Sequence, residues 1–290
     1  MPLIRSRAAR RSLRSVLVLS GALVLAAVAS GCGKKSGPAP VSPATREKQQ
    51  KAEEARKAEH ERWRQEAASL ERMALVPAGP FTMGGGGRGS IAEAEIDLPA
   101  FYIDIHEVSN EDYRRFVAAN ATVLYPRNWG GETYPEGQGN HPATGMKYED
   151  AERYAAWCGK RLPTAKEWEK AARGTDKRKW PWGDNFSQDL VNSADRWGGH
   201  EKSKEKGWSM PVDSLPGGRS PFGCFHMAGN VKEWTSTWEL AGGTNGIKIC
   251  KGGDWHETPS QVQGSVYQLA KFELEGNPTI GFRCAKDAPR

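Results

Sequence analysis

The stretch Tyr148–Gly174, YEDAERYAAWCGKRLPTAKEWEKAARG, carries the pattern of two short helices joined by a tight turn. Apolar residues recur at helical spacing from Tyr148, and Gly159 is expected to end the first helix. Pro163 and Thr164 are typical of the start of a second helix, whose inward face carries Trp168. The stretch therefore predicts two amphipathic helices packed on one core.

A strand and a third helix are predicted upstream, in FYIDIHEVSNEDYRRFVAAN. The first residues alternate as a strand does, and Ser109 is placed as an N-cap with Asp112 three residues on. The helix that follows carries Tyr113, Phe116 and Val117 on one face. Strand and helix would then share the same core.

Seven segments together resemble the sulfatase-modifying-factor family, which comprises the formylglycine-generating enzyme and its relatives. They are LVPAGPFTMGG, IHEVSNEDYRRFV, NHPATGMKYEDAERYAAWCGKRLPTAKEWEKAARG, WPWGDN, PVDSLPGGRSPFGCFHMAGNVKEW, KGGDWHE and IGFRCAKD, in the family's order. The resemblance implies an α+β fold of the C-type-lectin-like kind, with sparse regular secondary structure.

The N-terminal residues have the order of an export signal. Five arginines precede an apolar run, and ASGC ends at Cys32, which resembles a bacterial lipobox. We expect residues 1–31 to be a lipoprotein signal peptide and Cys32 to be lipidated, anchoring the protein in the bacterial envelope. It would face the periplasm or the cell surface. Ordinary cleavage after Ala29 is the alternative.

The rest of the chain divides by composition into a linker, a stalk and a domain. Residues 32–45 read as a flexible linker, residues 46–74 as a charged helical stalk, and residues 75–287 as one core-bearing domain. Removing residues 1–31, which carry five arginines and no acids, lowers the formal charge from +6 to +1. This small charge gives no support for nucleic-acid binding.

The segment KGGDWHE, Lys251–Glu257, carries the candidate catalytic residues Asp254, His256 and Glu257. If the glycines open a strand, Asp254 and His256 share a face, and Glu257 points the other way or starts a turn. A carboxylate beside an imidazole can bind a metal or transfer protons. The alternative is a polar strand end that takes part in no reaction. We therefore treat the three residues as candidates and assign none of them a catalytic role.

Residue-by-residue comparison with the family argues against its copper chemistry. The resemblance implies two thiolates that hold copper, and the matching positions here are Glu257 and Val262. Copper(I) is a soft ion that prefers sulfur ligands, so a carboxylate and an alkyl group do not replace them. We therefore expect no copper cofactor and no formylglycine generation. The resemblance also implies that the iron-dependent relatives bind iron through a histidine triad supplied largely by a separate helical domain, and we expect no such domain here.

The resemblance also implies a structural calcium site. The carbonyls of Gly229 and Val231 and the side chain of Glu233 stand at the matching positions, but His226 and Lys232 depart from the family pattern. An imidazole and an ammonium group weaken an oxygen-ligand site. A structural calcium ion at Gly229, Val231 and Glu233 is thus expected only as a weakly held ion, and no other cofactor is expected.

Four cysteines lie in the predicted domain: Cys158, Cys224, Cys250 and Cys284. An even set in an oxidising compartment allows three pairings. The family resemblance favours a bridge between Cys158 and Cys284, which leaves Cys224 with Cys250. Four buried thiols are the alternative.

These observations predict a non-catalytic, lipid-anchored envelope protein whose domain binds an exported peptide, glycan or protein partner. One alternative is an oxidoreductase of the formylglycine-generating and non-heme-iron superfamily that acts on an exported substrate. A second is a structural component of an envelope motility or secretion apparatus.

Overall fold

A computed structural model describes residues 42–85, 91–238, 247–263, 268–271 and 276–289. The predicted signal peptide and Cys32 lie outside these residues. The chain divides into two compact units, Met1–Lys48 and Gln49–Arg290. Within the described ranges, no helix has both the length and the apolar character needed to cross a membrane.

Regular secondary structure is short and scattered, as expected for this α+β fold. The described helices are Pro43–Ala68 (α1), Asn110–Ala119 (α2), Tyr148–Trp157 (α3), Ala165–Arg173 (α4) and His200–Lys206 (α5). The strands are Met73–Val76 (β1), Gly79–Met83 (β2), Ala94–Leu98 (β3), Phe101–Asp104 (β4), Lys232–Trp238 (β5), Ile247–Lys251 (β6), Gln268–Lys271 (β7), Ile280–Gly281 (β8) and Ala285–Asp287 (β9). Long loops and isolated turns make up much of the rest.

Three small sheets organise the strands. One has the order β1-β4-β9 and is antiparallel throughout, and a second is the hairpin β2-β3. The third has the order β7-β6-β5-β8, in which only β5 and β8 run parallel. The end of β6 in this third sheet leads directly into the glycine pair.

The predicted charged stalk is the long helix α1. It is solvent-exposed except near its end, where Ala67 is buried. Surface ion pairs such as Arg56–Glu53 and Arg64–Glu61, each at 2.8 Å, run along it. The helix begins at Pro43 and ends at Ala68, and β1 begins at Met73.

The helix starts follow the sequence prediction. The Ser109 side chain accepts the Asp112 N–H at 3.1 Å, and Thr164 and Glu167 form a reciprocal capping box. Such caps stabilise a helix by about 1 kcal/mol each. Trp168 belongs to α4 and is fully buried where this helix packs on the third sheet. The helix predictions at both sites are confirmed.

The helices α2 and α3 share an aromatic core. Tyr113 and Phe116 pack against Tyr154 with ring centroids 5.9 and 5.4 Å apart, and Phe282 meets Tyr154 edge-on at 5.3 Å. This apolar packing holds the segment around Phe282 and β8 in place. Because β8 pairs with β5, it also fixes the strand that carries Lys232.

Candidate active site

A two-glycine turn shapes the candidate site. Gly252 and Gly253 have φ angles of +94° and +71°, in the left-handed region that glycine favours. A Cβ at Gly253 would lie 2.6 Å from Val262 Cγ1 and 2.9 Å from Glu257 Oε2. Glycine is therefore required for both the backbone angle and the space.

The turn corrects the strand interpretation of KGGDWHE. β6 ends at Lys251, and the residues that follow the glycines form turns, so strand alternation does not apply to them. Glu257 does not point away from Asp254, because its Oε2 accepts the Asp254 N–H at 3.2 Å. The three candidate side chains thus converge on one point.

Asp254 is the centre of this cluster. It is fully buried, and its Oδ1 lies 2.7 Å from His256 Nδ1 and also accepts the His256 backbone N–H at 3.2 Å. Its Oδ2 forms an ion pair with Lys232. Burial opposes ionisation of Asp254, but the His256 hydrogen bond and the Lys232 charge outweigh it and lower its pKa. Asp254 is therefore held as a carboxylate.

Lys232 enters the cluster from β5. Its Nζ lies 3.0 Å from Glu257 Oε1 while it also binds Asp254, so one ammonium group serves two carboxylates. Burial opposes protonation of Lys232, but the charges of Asp254 and Glu257 outweigh this effect and raise its pKa. The cluster is thus an internal ion network with its own resident cation.

The two positions predicted to replace the copper thiolates are neighbours in space. A Cβ built on Gly253 would meet both side chains, so Glu257 and Val262 both border the same small space above this glycine. Val262 is fully buried in a small apolar cluster with Trp180, Val191 and Ala228. One position is therefore an ion-paired carboxylate and the other a packed aliphatic side chain. These residues do not fit a copper(I) ion.

The residues proposed for calcium do not fit that ion either. Arg283 donates to both oxygens of Glu233, Nε to Oε2 and Nη2 to Oε1, each at 2.7 Å, and Trp168 Nε1 also donates to Oε2 at 2.7 Å. Burial opposes the charge of Arg283, but Glu233 outweighs it and raises the Arg283 pKa. The Glu233 carboxylate is thus already neutralised, and Gly229 and Val231 offer only carbonyls.

A second buried ion network fixes the strand before the turn. The Lys251 ammonium lies 3.0 Å from Glu169 Oε2, and Arg173 binds the other oxygen of Glu169 at 2.7 Å. Burial lowers the pKa of Lys251 to about 8. These contacts join β6 to α4, so the glycine pair starts from a rigid position.

The two predicted disulfides are not formed in this structure. Cys158, Cys224 and Cys284 are buried thiols, and Cys158 Sγ donates to the Ala155 carbonyl at 3.3 Å. Burial, and after it a hydrogen bond with Cys158, raises the pKa of Cys284. Cys158 and Cys284 are thus neighbours, and their oxidation to a bridge stays a prediction. Cys224 and Cys250 lie in different core clusters, and their pairing also stays a prediction.

Two contributors to the site were missed by sequence reasoning. Lys232 departs from the family pattern, but no spacing in the sequence predicts its approach to Asp254 and Glu257. His200, on α5, places Nδ1 2.5 Å from the His256 carbonyl oxygen, and the two rings lie 5.9 Å apart. No sequence spacing relates His200 to His256, 56 residues later.

Beside this turn lies a small cleft lined by Trp129, Trp208 and Trp255, with a cavity volume of about 130 Å³. Trp255 connects the cleft to the ion network because it stands between Asp254 and His256 in the chain. Among the residues that the structure describes, no cluster of three or more histidine, cysteine or acidic side chains has metal-binding geometry. The site therefore combines an internal ion network with an aromatic cleft.

This fold and these motifs define the class of protein. The model of the sulfatase-modifying factor enzyme 1-like domain matches residues 58–288, and the chain belongs to this family. The formylglycine-generating enzyme of Mus musculus is 27% identical over 284 residues, which cover 76% of this chain and 76% of that protein. The family resemblance of the sequence is thereby confirmed.

Other relatives differ in name and architecture. Serine/threonine-protein kinase Pkn1 of Chlamydia trachomatis is 30% identical over 252 residues. The matched segment covers 75% of this chain and 38% of that protein. The inactive C-alpha-formylglycine-generating enzyme 2 of Mus musculus is 28% identical and is matched over 75% of this chain and 86% of its own length. The solved structure of PvdO from Pseudomonas aeruginosa has a TM-score of 0.61 at 24% identity, covering 74% and 94% of the two chains. The fold prediction is thus confirmed.

Proposed function

We propose that this protein is a lipid-anchored envelope protein whose sulfatase-modifying-factor domain binds an exported partner without oxidising it. The observation that carries the proposal is the position of Lys232, whose ammonium group joins Asp254 and Glu257 beside Val262. In this family the resemblance implies a copper ion at the positions of Glu257 and Val262.

Charge and ligand chemistry both support the loss of copper. A buried carboxylate needs a compensating cation, and Lys232 supplies one without any metal. A copper(I) ion would meet this ammonium group, one carboxylate and a valine methyl group, none of which is a soft ligand. The existence of a mouse relative named as inactive is consistent with a non-catalytic member of the family.

The anchor rests on the sequence of residues 1–32. The arginine-rich start, the apolar run and ASGC support lipidation of Cys32. Cys32→Ala is expected to move the protein out of the membrane fraction, whereas Cys158→Ala should leave it there. If Cys32→Ala stays membrane-bound and the wild-type protein carries no lipid, the anchor proposal is wrong.

An assay of cysteine-peptide oxidation tests the non-catalytic role. The purified chain is incubated under air with a sulfatase-type cysteine peptide, with and without copper, and the peptide mass is followed. We expect the peptide to remain unoxidised in both conditions. Copper-dependent turnover would contradict the proposal.

A second candidate function is metal-free or iron-dependent chemistry at His256. Asp254 lies 2.7 Å from His256 Nδ1, and a carboxylate in this position orients an imidazole for proton transfer. Under this alternative, peptide turnover without copper would disappear in His256→Ala. The same turnover would persist in His60→Ala, whose histidine lies on α1.

A further inference from the structure

The tryptophan cleft, defined as the cavity lined by Trp129, Trp208 and Trp255, has no ionisable side chain among its described lining residues. Its other walls are prolines, amides and hydroxyl groups, including those of Gln138 and Ser209. Burying a charge without a partner is costly, so a cleft of this composition disfavours charged ligands. The chemistry of the walls points to a neutral, polar group.

The indole of Trp129 is held by side-chain contacts, and Trp255 is positioned through its backbone. Trp129 is buried, its Nε1 donates to Asn110 Oδ1 at 3.0 Å, and its ring meets Tyr134 edge-on at 5.7 Å. The Trp255 backbone N–H donates to the Asn230 carbonyl at 3.1 Å. These contacts fix the walls before any ligand arrives, which lowers the entropic cost of binding.

The third indole offers an open face. Trp208 is 53% exposed, although it is one of the largest apolar side chains in the domain. Its neighbour Gly207 lies so close to Trp255 that a Cβ there would be 2.8 Å from Trp255 Cδ1. The absence of that Cβ lets the backbone before Trp208 approach Trp255 closely. Trp208 is thus held at the cleft with much of its surface in solvent.

Hydrogen-bonding groups remain available around these rings. Within the described part of the chain, the Gln138 carboxamide and the indole N–H groups of Trp208 and Trp255 have no protein hydrogen-bond partner. The Ser209 hydroxyl contacts His141 Nδ1 at 3.1 Å and keeps further hydrogen-bonding capacity. The cleft therefore combines flat apolar faces with a few neutral donors and acceptors, as small-molecule sites do.

We propose that the tryptophan cleft binds a neutral saccharide. A sugar ring has an apolar C–H face that can stack on an indole, and its hydroxyl or acetamide groups match the amide and indole N–H groups. The cleft has a cavity volume of about 130 Å³, which is on the scale of one ring-sized group. This inference rests on the proposed binding role and names its ligand class.

The experiment titrates the purified full chain with three neutral trisaccharides, N-acetylchitotriose, maltotriose and cellotriose, by calorimetry and tryptophan fluorescence. We expect at least one of them to bind. Trp208→Ala should weaken that binding about tenfold or more, because a central aromatic contact is lost. Gln138→Ala should weaken it by a smaller factor.

Trp238→Ala is the matched control because Trp238 is also about half exposed, at 45%, and does not line the cleft. It should leave the affinity within about twofold, as expected for a distant surface site. Equal effects of Trp208→Ala and Trp238→Ala would overturn the assignment to the cleft. A sulfated trisaccharide that binds as tightly as the neutral one would overturn the neutral class.

Three outcomes show how failure of this inference differs from failure of the proposed function. If none of the trisaccharides binds but a proline-rich peptide binds and is lost in Trp208→Ala, the saccharide inference fails while the binding role stands. If no probe binds, the saccharide inference is also overturned. Oxidation of the cysteine peptide would instead contradict the proposed non-catalytic role, whatever the saccharide result.

Discussion

Lys232 forms an ion pair with the fully buried Asp254, and this contact joins β5 to the turn that follows β6. The same ammonium group lies 3.0 Å from Glu257 Oε1. Lys232 therefore places a protein cation against Glu257, one of the two positions where the family resemblance implies a copper ligand. The contribution of this ion pair can be tested through the free energy of unfolding as well as through activity.

Replacing Lys232 by methionine removes the cation and keeps much of the side-chain volume. Lys232→Met should lower the free energy of unfolding by about 3 kcal/mol, because Asp254 is left buried without its ion partner. Urea unfolding measures this loss. Lys204→Met is the matched control, since Lys204 pairs with Glu201 at 3.0 Å on the exposed helix α5. It should cost less than about 0.5 kcal/mol, and equal losses would contradict the account.

Asp254 should also affect how the free energy of unfolding changes with pH in acid. Because its pKa is lowered in the folded state, ionised Asp254 stabilises the fold above the unfolded pKa, which is about 3.9. This contribution is lost as the pH falls below that value through the folded pKa. Asp254→Asn should therefore flatten the decline of unfolding free energy below about pH 4.

Asp189→Asn controls for the acid experiment because Asp189 is exposed and lies outside the ion network. Urea unfolding at a series of acidic pH values gives the slope for each variant. The Asp189→Asn slope should match that of the wild-type protein. An Asp254→Asn slope equal to the wild-type slope would show that Asp254 ionisation does not stabilise the fold.

Calcium removal should not change thermal stability. Arg283 already neutralises Glu233, so adding EGTA or millimolar calcium should leave the melting temperature unchanged. Glu233→Gln should lower the free energy of unfolding by about 3 kcal/mol, because it leaves Arg283 buried without its carboxylate. Glu205→Gln, on the exposed face of α5, should have little effect. An EGTA-induced fall in the wild-type protein that is absent in Glu233→Gln would indicate a calcium site.

Oxidation should join Cys158 to Cys284 before it joins any other pair. The two residues lie in one core cluster and their side chains are in hydrogen-bond contact, whereas Cys224 lies in a separate cluster. Non-reducing peptide mapping of protein exported to an oxidising compartment measures the pairing, with Cys224→Ser as the control that should keep the bridge. Finding Cys158 and Cys284 reduced in such protein would refute this prediction.

Local sequence signals predicted much of the framework. Ser109 and Thr164 act through hydrogen bonds to residues three positions away, so their caps can be read from neighbouring residues. The inward position of Trp168 follows from the helical period of the apolar residues in α4. The family resemblance added the order of the loops, which periodicity does not encode.

The candidate site depended on longer-range geometry. The left-handed angles of Gly252 and Gly253 end the strand, and this turned the expected alternation of Asp254, His256 and Glu257 into a convergent turn. The approach of Lys232 depends on pairing between β5 and β6. The tryptophan cleft likewise brings together loops from distant parts of the chain. The contacts of Lys232 and of the cleft join residues far apart in the chain, so they do not follow from local spacing.

The most direct test of the non-catalytic account is the copper(I) affinity of the purified chain, measured by competition with a chromophoric chelator. The comparison uses a double variant, Glu257→Cys with Val262→Cys, and a control double variant at two exposed positions on different helices, Glu149→Cys with Glu205→Cys. Because soft sulfur ligands are restored only at the first pair of positions, that variant should bind copper(I) about tenfold or more tightly than the control. The wild-type chain should bind no tight stoichiometric copper. One tightly bound copper per wild-type chain, lost in Glu257→Ala, would contradict the account.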